Sequence, residues 1–491
     1  MNKQLLFFLL IPFFGFSQVQ IGQDINAIQQ TELLGKRVAI SGNGTTIVTS
    51  ASGYKTINNN RGAVRVFKNA NGSWVQVGPS IESNRIADHL GSDVDITHNG
   101  NIIAVASSGN PGDDSIGYVA VYEYDGIGNW IQIGNNIYGK NSKENFGYSI
   151  TLSAEGNTIA VSAPYNTDNM LKGRVMVYRF LNGDWAQIGS DISYADNNSS
   201  YFGWNISLSD DGNILAVGSL DNCFGCTGIA KVHVYENISS NWTKLGNEII
   251  GSAPFETSAE VSLSSDGKIL AVGAPHNSSN GTYSGEVRVY KYLSGSWYKI
   301  GSSINGLQDA IRSGQSLSLS ANGSVLAVGS PASSNISGSV QIYEYINGFW
   351  YKKGADINSK ILGDYTGESV CLSADGTKIV IGSPNYSSAG YGFTGLVRVF
   401  DLTNILAINN FVSDNFKVYP NPAKDILNIS NRENISVNQA EIYDLNGRMI
   451  STQNFSSTTY LQLNIVDLAR GTYMLHLKTN KGKAVKKIIK K

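Results

Sequence analysis

The chain of 491 residues is poor in charge: Asp, Glu, Lys and Arg make up 15% of it, against a usual share of about 25%, and the formal net charge is −1. With no sequence-wide field, neither nucleic acid nor an anionic membrane is expected as a partner. Cysteine is nearly missing, with Cys223, Cys226 and Cys371 alone, so the fold is not a disulfide framework. The five His at 89, 98, 233, 276 and 476 are scattered, and one Cys pair does not complete a four-ligand zinc site. No apolar run is longer than the 12 residues of 5–16, short of the roughly 20 that cross a bilayer as a helix. What abounds is turn and core material, with 53 Gly, 25 Tyr, 17 Phe and 7 Trp. Gly tolerates the positive φ of tight turns, and aromatics fill pleated cores, so the expected class is all-β.

Lys3, the apolar run with Pro12 inside it, and Ser17 before Gln18 read as a secretory signal peptide over 1–17. An exported chain is permitted disulfides, and Cys223-Phe-Gly-Cys226, in a long loop, is the candidate. At the other end, beyond a linker at 404–415, short alternating segments and the turn signals Asn446-Gly447 and Asn480-Lys-Gly482 predict a separate small β-sandwich over 416–491. Its motifs Tyr419-Pro-Asn-Pro422, Tyr443-Asp-Leu-Asn-Gly-Arg448 and Gly471-Thr-Tyr473, followed by a Lys-rich end, resemble the type A C-terminal sorting domain of type IX secretion cargo in the Bacteroidota. That resemblance implies the type IX machinery as a partner of 416–491 and a secreted or outer-membrane-surface address.

Between the ends the sequence repeats. Trp74, Trp130, Trp185, Trp242, Trp297 and Trp350 fall 53–57 residues apart, and Gly35, Gly91, Gly147, Gly203, Ser258, Gly314 and Gly367 mark a second register of the same period. Fifteen positions after each of these comes Ser, Ala or Gly, from Ser50 to Gly382. A period of this size belongs to an array or a propeller. Each repeat reads as four strands, with a tight turn such as Ala154-Glu-Gly156 between the first two. Seven first strands accompany only six Trp-led fourth strands, and 19–25 matches 186–192 position for position. The expectation is a seven-bladed β-propeller over 18–403, closed by its own N-terminal strand. Phe146-Gly147 with Ala163-Pro164, Phe202-Gly203 and Gly273-Ala-Pro275 resemble the FG-GAP repeats of integrin α-subunit propellers. The resemblance implies a recognition role. Some blades of that family hold calcium, but turns such as Ser153-Ala-Glu-Gly156 offer too few carboxylates for it, and no cofactor is expected.

Antiparallel order places the short first-to-second turns on one face of the disc and the second-to-third and inter-blade loops on the other. The long loops are rich in Tyr, Asn and Ser, a mixture suited to recognition. Tyr165, Tyr194, Tyr201 and Tyr283 are the candidate ligand residues, with Asp113, Asp114 and His276 as polar companions. Asp93 and Asp95, with Arg37 and Glu260 at positions equivalent to Asp93, read as polar lining of the axis; the competing reading is a paired-acid hydrolase. Cys371 reads as a small buried thiol, and Trp204 stands off the Trp register. Asp114-Ser115-Ile116 resembles a short O-glycosylation site of exported proteins in this bacterial group. The expected function is non-enzymatic binding or adhesion to a protein or glycan, with no catalytic residues; the alternative is a polysaccharide-active or other hydrolytic enzyme on a propeller scaffold.

Overall fold

The computed structural model describes residues 18–491 except 57–58, 86–87, 110–114, 166–172, 195–199, 222–228, 253–255, 257–258, 333–335, 388–392, 407–414, 432–434, 445–448 and 481. The signal-peptide segment, Asp113, Asp114, Cys223, Cys226 and most of the linker lie outside the described residues. Among the described residues, seven antiparallel sheets of the same four-strand order fill 19–401. Blade three shows the pattern: Ile150–Leu152, Thr158–Ala163, Arg174–Leu181 and Asp184–Gln187 run from the axis outward. Its second strand, TIAVSA, is buried throughout, as befits a β-branched and small-residue strand packed on both faces. The turn before it is fixed by Ser153, whose Oγ accepts from Thr158 N at 3.1 Å while Gly156 takes φ +74°.

The first strands of the seven blades are Leu34–Ile40, Val94–Ile96, Ile150–Leu152, Ser200–Leu208, Glu260–Leu263, Ser316–Leu319 and Ser369–Leu372. Each touches the next, and the seventh touches the first, so they form a closed circle. The small residues fifteen positions after the second register are explained by this crowding. A Cβ on Gly382 would stand 1.9 Å from Gly35 O of the next blade, and one on Gly273 would stand 2.2 Å from Gly314 O. Only hydrogen fits there.

Five of the six register Trp tie their blade to the one before through the indole N–H, and Trp350 is buried at the same position without that bond. Trp74 Nε1 donates to Ile21 O at 3.0 Å, Trp130 to Val77 O at 3.0 Å, Trp185 to Ile133 O at 3.2 Å, Trp242 to Ile188 O at 3.3 Å and Trp297 to Leu245 O at 2.9 Å. These indoles are blade-packing anchors. In blade seven the outer strand comes from the other end of the chain: Val19 pairs with Asp401 and Gln20 with Phe400, and after a break Ile25 pairs with Val397. The propeller is closed by its N-terminal strand, as the sequence predicts.

From Phe416 the chain forms two further sheets. Phe416–Tyr419, Ile426–Asn431 and Tyr460–Asn464 make one, and Met449–Thr458, Val437–Tyr443, Gly471–Thr479 and Gly482–Lys490 make the other. They enclose their own apolar core, including Leu427, Ile429, Val437, Leu475 and Ile488. The expected separation from the propeller is incomplete. Met474 and Val485 on the outer face of the second sheet cover Phe349 of blade six, and Tyr351 Oη lies 2.8 Å from His476 Nε2. Alternation along these strands gives them two apolar faces, and the second needs a cover.

Candidate functional site

The axis opens on the long-loop face into a cup of about 530 Å³. Its wall comes from two consecutive positions at the start of each first strand. The rim position carries Lys36, Ser92, Tyr148, Trp204, Gln315 and Glu368, and the next one down carries Arg37, Asp93, Ser149, Asn205, Glu260, Ser316 and Ser369. Ser52, Ser108 and His89, from second-strand ends and an inter-blade loop, complete it. All seven blades contribute.

The lower position laces the ring. Asp93 Oδ2 accepts from Ile150 N at 2.8 Å, Asn205 Oδ1 from Val261 N at 2.9 Å, and Ser369 Oγ from Val38 N at 3.0 Å. One layer deeper Asp95, Ser207, Ser262 and Ser318 repeat the device at 2.7–3.0 Å toward Leu152, Leu263, Leu319 and Leu372. Asp93 and Asp95 thus hold blade three to blade two. Arg37 faces Asp93 at 3.6 Å, and Lys36 is paired with Glu368. Burial raises the Asp93 pKa against the pull of Arg37, and it pushes Glu260 up to about 8 against Arg37 and a hydrogen bond from Trp204. Cys371 sits in the deeper layer, where burial pushes its thiol up to about 11 and keeps it unreactive.

Burial likewise pushes Asp95 to about 7, against the N–H groups of Leu152 and Ile96, with Asp93 and His98 as its charged neighbours. A carboxylate whose folded pKa stands above its unfolded value loses stability as pH rises through the folded value. The ionised form costs at most about 4 kcal/mol at roughly 1.4 kcal/mol per pKa unit, and about 1–3 kcal/mol with channel water present. Asp95→Ser keeps the acceptor that serine supplies in three other blades. Thermal unfolding should show this variant more stable than the parent at pH 8 and equal to it near pH 4; a pH-independent loss would contradict the account.

Aromatic rings crowd one side of the rim. Tyr148 and Trp204 have centroids 4.8 Å apart, as do Tyr165 and Tyr201, and both cross-distances are 6.4 Å. All four rings are half-buried. A β-bulge between Phe202 and Asn205 takes Trp204 out of the strand ladder and aims it at the cup. Two of the four candidate tyrosines, Tyr165 and Tyr201, therefore meet at this site. Tyr194 does not: its ring packs 4.3 Å from that of His233 within blade four, under Lys231 and Lys244. Tyr283 is 47% exposed on blade five and meets His276 edge-on at 5.8 Å, away from the cup lining.

Sequence reasoning missed Tyr148, Lys36 and Glu368. The available signal was position: each directly follows a register Gly. It also missed the acids three places before that Gly. Glu32, 0% exposed, pairs with Arg65 of the third strand and accepts from Ile28 N at 2.7 Å; Glu144 with Arg174 and Lys140 N, and Glu256 with Arg288 and Ser252 N, are equivalent, Glu256 lying one place out of register. Each staples an inter-blade loop to its blade, so the long-loop face stands on fixed supports. The opposite mouth, about 170 Å³, has a different character. There His98 meets Asp210 at 3.4 Å and Asp210 binds Ser265, an order that puts the acid between the other two and activates no nucleophile. The turn acids Asp211, Asp266 and Asp375 close their own turns by accepting from the N–H two residues on.

Residues 417–491 match the family model described as the secretion system C-terminal sorting domain. No curated protein matches the chain. Solved structures similar to it include Sqt1 from Chaetomium thermophilum, at 16% identity over 77% of this chain and 91% of that one, with a TM-score of 0.46. A protein from Lactobacillus plantarum follows at 13% identity over 67% and 85%, with a TM-score of 0.45.

Proposed function

We propose that the chain is a type IX export cargo whose propeller binds a protein or glycan through the long-loop face, without catalysis. The observation that carries this reading is the cluster of Tyr148, Tyr165, Tyr201 and Trp204 at the rim of the cup. Half-buried aromatic clusters beside a concavity present rigid contact area at low entropic cost. The FG-GAP-like repeats favour the same role by analogy. Against the hydrolytic alternative stands the occupation of two of the three cup acids: Asp93 serves the lacing and Glu368 is paired with Lys36, which leaves Glu260 without the second free carboxylate of a paired-acid site. The combined variant Tyr165→Ser, Tyr201→Ser should weaken capture on arrays of glycans and surface proteins at least tenfold while its thermal transition stays within a few degrees. Loss of binding only on altering the His98–Asp210 mouth would place the ligand on the other face.

The C-terminal sorting domain supplies the address, secretion or surface display. A chain ending at residue 410 should accumulate inside the outer membrane with its propeller folded, as fractionation and limited proteolysis would show; efficient release of the truncated chain would contradict the export role.

A further inference from the structure

We propose that the cup seats the terminal residue of an uncharged oligosaccharide, which enters end-on along the axis of the ring. This rests on the reading of the long-loop face as the binding face and names its ligand class. Shape is the first argument. Among the described residues every blade supplies wall, so the cup opens along the axis rather than as a groove across the disc, and Val261, Leu317 and Val370 line its inner end. The cavity at the opposite mouth shares none of its lining residues and lies one layer further along the first strands. Its volume of about 530 Å³ falls in the roughly 300–1,000 Å³ of small-molecule sites and admits a chain end, not a folded partner.

Charge and lining select the chemistry. Lys36 is matched by Glu368 and Arg37 by Asp93, which leaves Glu260, held largely protonated near neutral pH by burial. Among the described residues of the lining, no Lys or Arg is left without a carboxylate to face a sulfate, phosphate or sialic acid. Ser52, Ser108 and Gln315 offer groups that both donate and accept, the pairing a hydroxyl-rich ligand needs. Aromatic rings occupy one side only, where Tyr148 and Trp204 can take the apolar C–H face of a pyranose while its hydroxyls turn to the serines.

The test uses the mature full chain on a microarray of neutral, sialylated and sulfated glycans, with calorimetry on the best neutral hit. Hits should share one uncharged terminal residue, and exoglycosidase removal of that residue should lower affinity at least 30-fold. Trp204→Ala should do the same, as should Gln315→Trp, which fills the cup from the rim and serves if Trp204→Ala fails to fold. Asp210→Asn, at the opposite mouth, should bind within about threefold of the parent. Hits defined by acidic groups, binding to internal repeat units whatever the terminus, or no neutral hit would overturn the inference. If a protein ligand is instead lost on substituting Tyr165 and Tyr201, the inference falls and the binding face stands; if no ligand depends on that face, both fall.

Discussion

Deleting residues 18–26 should lower the melting temperature by on the order of 10 °C or more and make the protein associate more readily. The segment supplies the fourth strand of blade seven, so its loss leaves Leu396–Asp401 as an open edge. It uncovers Val397, Val399 and Val380, on which Ile25 packs at 5% exposure. Burying one such side chain contributes about 1.5–3 kcal/mol, and each lost backbone bond, such as Ile21 N to Val399 O at 2.8 Å, another 0.5–1.5 kcal/mol or so. The damage reaches both neighbours, because Trp74 of blade one donates to Ile21 O and Gln18 donates to Ala355 O of blade six. Several kcal/mol is a large part of an ordinary folding free energy of about 5–15 kcal/mol. A synthetic peptide of residues 18–26 added in trans should restore the transition by strand addition. Calorimetry and light scattering decide the matter, and an unchanged, monomeric protein would mean that the ring does not depend on this strand.

Glu32→Gln should destabilise by about 3–5 kcal/mol, since it leaves the Arg65 guanidinium, 2% exposed, buried without its counter-charge. Arg65→Met should cost a similar amount by stranding Glu32. The double variant should cost clearly less than the sum, because removing both charges removes the desolvation penalty together with the attraction. Denaturant titration of the four proteins gives the coupling directly; simple additivity would show that the two groups act independently. Arg174 with Glu144 and Arg288 with Glu256 should behave alike in blades three and five.

The repeat made the propeller legible. One Trp and one crowded small residue per blade recur because each occupies a site that the neighbouring blade dictates, so the period survives wherever the packing does. The closing strand was legible for the same reason, since 19–25 must fit the same socket as 186–192 without its Trp. The cup was not legible, because its chemistry lives in the deviations from the repeat. Lys36, Tyr148, Trp204 and Glu368 hold one register position with four different chemistries, and only closure of the ring brings them together. Tyr194 shows the converse: composition placed it among recognition residues, whereas packing against His233 gives it a place in blade four. Asp93 and Asp95 read as polar lining of the axis, but their lacing role was hidden because the backbone N–H groups that claim them belong to the next blade, 57 residues away.

Pairing of Val19 with Asp401 also sets a clock. At about 5–20 residues per second of synthesis, the strand made first waits on the order of 20–80 s for the strand it completes. Through that interval six blades can form as an open arc with two raw edges, and nothing made so far can join them. The sorting domain begins at Phe416, only a short stretch beyond the last propeller strand, so its completion follows within about 5–20 s. A nascent chain released early thus lacks both its clasp and its address, and the finished one acquires the two almost together.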